Sequence, residues 1–134
     1  MKYVLDSSVA VKLYFHDSGF LKAQTLFLDF HAGKHELLAP DIFPAECADA
    51  LVLAEKALDI DPGESVLNIK DLQTIGVLLH PSFPLLPRAI AIALSTRLTL
   101  FTGLYVALAE REQSEFLTTD QKILRNTRKQ FSFV

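Results

Sequence analysis

Four short apolar runs, KYVL (2–5), HELLAP (35–40), GVLLHP (76–81) and EFLTTD (115–120), are spaced along the chain with segments of helical periodicity between them. No other feature constrains the fold as much. Strands separated by helices cannot pair as tight hairpins; the helices must cross over the sheet, which makes the strands parallel and covers both sheet faces. The spacing predicts helices over 7–15, 18–33, 41 to about 60, 64–72, about 87–98, about 102–113 and 121–129, with a terminal strand at FSFV (131–134). Ser7 or Ser8 is available to cap the first of these, Gly33 to stop the second and Asp41 to cap the third, where Pro44 is tolerated only in the first turn. The expected architecture is α/β: a three-layer α/β/α sandwich with a central parallel sheet of four to five strands, in a single domain over 1–134.

Half of the 134 residues are hydrophobic and 22% are charged, enough apolar material for a real core. No apolar run reaches the 18 or so residues of a membrane span. Asp6 interrupts the stretch where a signal peptide would be apolar, so a cytoplasmic location is expected. Cys47 is the single cysteine, which excludes an internal disulfide and a cysteine zinc cage and leaves a small buried apolar role. The net charge of −3 is unevenly spread. Acids crowd 41–71, whereas 122–129 carries Lys122, Arg125, Arg128 and Lys129 with no acid, a pattern open to phosphate contact or to plain solvation.

In open α/β sheets ligands gather at the carboxyl ends of the strands. Asp6 closes the first strand and Asp120 the fourth, each open to reading as a helix cap or as part of a site. Two such acids together are costly unless a cation neutralises them, which favours a metal. Glu46 lies near the start of an otherwise apolar helix, either turned to solvent or entering that site, with Asp49 one turn away. Other chemistries fit less well. There is no glycine-rich phosphate loop, His16, His31, His35 and His80 are scattered and read as surface or capping residues, and Ser7 and Ser8 have no neighbouring histidine. In TLFTGL (99–104) Thr102 is placed to cap the following helix, and Gly103 costs about 1 kcal/mol relative to alanine if it lies inside it.

With these residues in view, YVLDSSVAVKLY, LLAPDIFPAECADAL and LYVALAEREQSEFLTTDQKIL resemble, in order, three stretches of the PIN domain family, particularly its small VapC-like toxins. The resemblance implies a metal-dependent endoribonuclease with Mg²⁺ or Mn²⁺ held by Asp6, Glu46 and Asp120, and Ser8 and Thr118 as accompanying polar groups. It also implies an antitoxin protein as partner and a homodimer. The family's third acid aligns on Thr102, so one carboxylate is missing; Asp49 is the acid placed to compensate. Lys12, Lys122 and Arg125 are the candidates to hold RNA backbone. Two functions follow: a ribonuclease weakened at Thr102, or a degenerate PIN domain that binds RNA or protein without cutting.

Overall fold

The computed structural model describes residues 1–15 and 19–120. Buried runs mark the strands. β1 (Lys2–Leu5) ends in buried Val4 and Leu5, and β2 (Glu36–Pro40) is buried from Leu37 onward, the pattern of strands covered on both faces. β3 (Leu78–His80) and β4 (Glu115–Leu117) are shorter. All pairings are parallel, in the order β3-β2-β1-β4, with Val4 opposite both Leu38 and Phe116. The chain therefore runs from β1 outward through β2 to β3 and returns to the far side of β1 as β4. This reversal creates a crevice at the carboxyl end of β1, the position where such sheets bind ligands.

Around the sheet stand α1 (Ser7–Ala10), continued as a 3-10 turn through Tyr14, α2 (Phe20–His31), α3 (Phe43–Lys56), α4 (Glu64–Gln73), α5 (Leu86–Ser95) and α6 (Leu100–Glu112). The architecture is the three-layer α/β sandwich expected, with four parallel strands among the described residues. The expected last helix (121–129) and terminal strand (131–134) lie outside them. Gly33 follows the end of α2 with φ of 77°, the left-handed stop that glycine adopts without strain. α6 packs on β1, β2 and β4, and its residues from Gly103 to Ala109 are all buried. No single described helix is long and apolar enough to cross a membrane.

Three capping expectations are corrected. Neither Ser7 nor Ser8 caps α1; Ser8 turns instead to Asp6. α3 begins at Phe43 rather than at Asp41, with Pro44 inside its first turn and no side-chain cap. The Asp41 carboxylate accepts from the Ser82 hydroxyl, and its backbone N–H donates to the His80 carbonyl, so it ties β2 to the segment after β3. The cap of α6 is Thr99, whose hydroxyl accepts from the Thr102 N–H at 3.2 Å. Thr102 and Gly103 thus lie inside the helix.

Gly103 has a packing reason. A Cβ there would stand 2.9 Å from the Ala89 carbonyl oxygen and 3.5 Å from the Ala89 Cα. α5 and α6 touch backbone to backbone at this point, which only glycine permits.

Candidate active site

Asp6 is placed by the backbone on both sides of it. Its N–H extends the β1–β4 ladder to the Leu117 carbonyl (3.0 Å), and its carbonyl accepts from Val9 (3.1 Å) and Ala10 (3.3 Å) to open α1. The residue is only 9% exposed, at the reversal point of the sheet. A buried carboxylate must be satisfied. Ser8 donates to Asp6 Oδ2 at 2.8 Å and Thr118, just past β4, donates to the same oxygen at 2.7 Å. Each hydroxyl in turn accepts a backbone N–H: Ser8 from Thr119 (3.2 Å) and Thr118 from Asp120 (3.1 Å). The two hydroxyls thus link Asp6 to the segment that carries Asp120.

Glu46 enters from the first turn of α3, half-buried. Its Oε1 accepts from the Tyr105 hydroxyl at 2.7 Å. Tyr105, in α6, is 1% exposed, and its ring stacks on Phe116 of β4 at 5.7 Å between centroids. Four elements therefore converge: β1 through Asp6, α3 through Glu46, α6 through Tyr105 and the end of β4 through Thr118 and Asp120.

The electrostatics show that the acids share one field. Burial raises the Asp6 carboxyl above its ordinary value; the hydroxyls of Thr118 and Ser8 and the Ser7 N–H oppose this, and Asp120 adds to it. Burial also raises Glu46, opposed by the Tyr105 hydroxyl and reinforced by Asp6 and Asp49. Burial and the Glu46 carboxylate together push the Tyr105 phenol far up, so it stays a proton donor. Cys47 is fully buried and burial pushes its thiol up, consistent with the inert role expected of it.

Asp6 is thus within electrostatic reach of both Glu46 and Asp120, the latter on the exposed rim. Among the described residues, however, no three His, Cys, Asp or Glu side chains are grouped closely enough to hold an ion unaided. The donors present are all carboxylate and hydroxyl oxygens, a set that suits Mg²⁺ or Mn²⁺ retaining much of its water. Asp49 is exposed and acts on Glu46 only through its charge. Thr102 is half-buried, and its hydroxyl accepts from Thr99 at 3.3 Å within the helix cap. Lys12 sits in the 3-10 turn with its ammonium 5.9 Å from the Phe15 ring centroid. Lys122 and Arg125 lie outside the described residues. An apolar groove of about 270 Å³ between Phe43, Leu72 and Leu79 shares no residue with the acids.

Tyr105 was not among the residues singled out from the sequence. The signal for it is a tyrosine within LYVALA, a segment otherwise wholly apolar, because a buried phenol needs a hydrogen-bond partner.

The fold is similar to that of solved proteins. PAE2754 from Pyrobaculum aerophilum superimposes with a TM-score of 0.69 at 20% identity, covering 93% of this chain and 86% of that one. VapC20 of Mycobacterium tuberculosis, a toxin that cleaves the sarcin–ricin loop, superimposes with a TM-score of 0.68 at 12% identity, covering 92% and 93%. No family model and no curated protein matches the sequence. At these identities the likeness establishes the fold, and the fold is PIN-like.

Proposed function

We propose that this chain is a divalent-metal-dependent endoribonuclease of the toxin type. The observation that supports it best is buried Asp6 at the reversal point of a PIN-like sheet, within electrostatic reach of Glu46 on one side and Asp120 on the other, with no cationic side chain hydrogen-bonded to Asp6 or Glu46 among the described residues. In this reading Asp6 and Glu46 hold Mg²⁺ or Mn²⁺ and Asp120 contributes from the rim. Such an ion, when bound, lowers the pKa of water and offsets charge building on a phosphate. The chain's own part is to fix the carboxylates: Ser8 and Thr118 hold one oxygen of Asp6, and Tyr105 holds one oxygen of Glu46. Lys12, Lys122 and Arg125 would meet RNA backbone beside the cut. An antitoxin protein as the neutralising partner and a homodimer as the working unit belong to the same proposal.

The test is cleavage of single-stranded RNA and of a sarcin–ricin stem-loop by purified protein with Mn²⁺ or Mg²⁺. Asp6→Asn should abolish it. Equal residual cleavage by wild type and Asp6→Asn would mean that the acids do no catalysis.

Thr102 favours a second reading, a PIN-like domain that binds RNA without cutting it. Its side chain is neutral, sits where the resemblance places an acid, and is engaged by Thr99. On that reading the wild type retains RNA without cleaving it, and Thr102→Asp confers cleavage. A fully active wild type excludes it.

A further inference from the structure

α6 reaches the site even though Thr102 brings no charge. Tyr105 lies one turn further on, so the two residues share a face of the helix. At 1% exposure the Tyr105 side chain has little freedom, because its ring is stacked on Phe116 with an interplanar angle of 24°. Its hydroxyl ends 2.7 Å from Glu46 Oε1, a charge-assisted hydrogen bond between residues 59 apart in sequence. Among the described residues no hydrogen bond reaches Glu46 Oε2.

We propose that Tyr105 is a positioning residue for Glu46: its hydroxyl ties down Oε1, fixes the carboxylate plane and leaves Oε2 as the oxygen available to a ligand. The inference rests on the nuclease reading of the acids and adds one residue to it. The geometry is that of Asp6 repeated, where the hydroxyls of Ser8 and Thr118 occupy one oxygen of the pair. A glutamate on a helix has three rotatable bonds and, half-exposed, would otherwise sample several rotamers. Tyr105 touches neither substrate nor ion in this role and acts only through Glu46.

Tyr105→Phe keeps the ring on Phe116 and removes the hydroxyl alone. Partners that orient metal-holding carboxylates are each worth about 10- to 100-fold in metal affinity. The variant should therefore bind Mn²⁺ about 10- to 100-fold more weakly by calorimetry and show a lower kcat on RNA with an unchanged KM. Because Tyr105 acts through Glu46, Tyr105→Phe added to Glu46→Gln should cost nothing more than Glu46→Gln alone. Phe27→Leu, which disturbs core packing on α2 and leaves Tyr105, its stacking on Phe116 and its hydroxyl in place, separates positioning from stability. It should lower the unfolding midpoint without a comparable loss of Mn²⁺ affinity.

Wild-type Mn²⁺ affinity in Tyr105→Phe, additive losses in the double variant, or an equal affinity loss in Phe27→Leu each overturn the assignment. If the wild type binds Mn²⁺ through Asp6 but cleaves no RNA, the nuclease reading fails while weaker binding by Tyr105→Phe still supports the positioning role. If the wild type binds no Mn²⁺, both fail.

Discussion

Replacing Gly103 by alanine sets two opposed effects against each other, and the structure decides between them. Gly103 lies inside α6, and alanine in a helix interior is favoured over glycine by about 1 kcal/mol. On propensity alone the substitution should stabilise. The new Cβ, however, would stand 2.9 Å from the Ala89 carbonyl oxygen, closer than a carbon and an oxygen can approach. The obstacle is backbone, so no side-chain rotation relieves it. Parting the helices would open the buried packing between α6 from Gly103 to Ala109 and Ala89 and Ile92 of α5. Overpacking of this kind costs about 1–3 kcal/mol, so the net effect should be a loss of up to about 2 kcal/mol. For a chain of this size that is a fall in Tm of several degrees, at roughly 4 °C per kcal/mol. Urea unfolding of both proteins, with fixed slope, measures it directly. A gain of about 1 kcal/mol, the full propensity difference, would refute the claim that α5 and α6 meet backbone to backbone.

The acid cluster should show itself in pH dependence and in metal response. Asp6 and Glu46 are raised in the folded protein, by burial first, so the stability they contribute is complete below their ordinary values of 3.8 and 4.5 and is lost as pH rises through the raised ones. Asp6→Asn, whose amide oxygen can still accept from Ser8 and Thr118, should therefore be more stable than wild type at neutral pH in the absence of metal. The two should converge at pH 3; a destabilised Asp6→Asn at neutral pH contradicts this sign. Added Mn²⁺ should raise the wild-type Tm with concentration, as a ligand of the folded state must, and leave Asp6→Asn unmoved. Thr102→Asp puts a carboxylate in the first turn of α6, where the helix dipole favours it by about 0.3–1 kcal/mol. It should steepen the Mn²⁺ response, and an unchanged response would detach position 102 from the metal.

The parts of this fold that depend on local pattern are readable from sequence, and those that depend on distant contacts are not. The alternation of short apolar runs with helical segments dictates parallel strands, and Asp6 stands at a strand end whatever the tertiary packing. Asp120 requires more, because β4 ends at Leu117 and the acid is held beyond it by Thr118. Capping assignments fail where two residues compete. Thr99 and Thr102 are both suited to open α6, and only the backbone at Thr99, extended at φ −73° and ψ 164°, distinguishes them. Asp41 has the composition of a cap, but the segment after β3 brings Ser82 to it first. Gly103 reads as a fault in a helix until Ala89 is placed beside it. The Tyr105–Glu46 contact joins α6 to α3 across the sheet end, so no local spacing announces it.

On the proposed nuclease reading, the neutral Thr102 changes the charge balance rather than only deleting a ligand. Asp6, Glu46 and Asp120 supply three negative charges when ionised, and one divalent cation offsets two of them. A fourth carboxylate at 102 would leave two uncompensated charges around one ion, in a site where burial already raises Asp6 and Glu46. Such a cluster is relieved best by a second cation. With Thr102 held in the helix cap by Thr99 and Tyr105 donating to Glu46, α6 instead brings a proton donor, and no carboxylate, to Glu46. Without a carboxylate from α6, the negative charge density that a second ion would need is lower. On that reading the site would favour one ion held by few carboxylates, with the burden of orientation carried by hydroxyls: Ser8 and Thr118 on Asp6, and Tyr105 on Glu46.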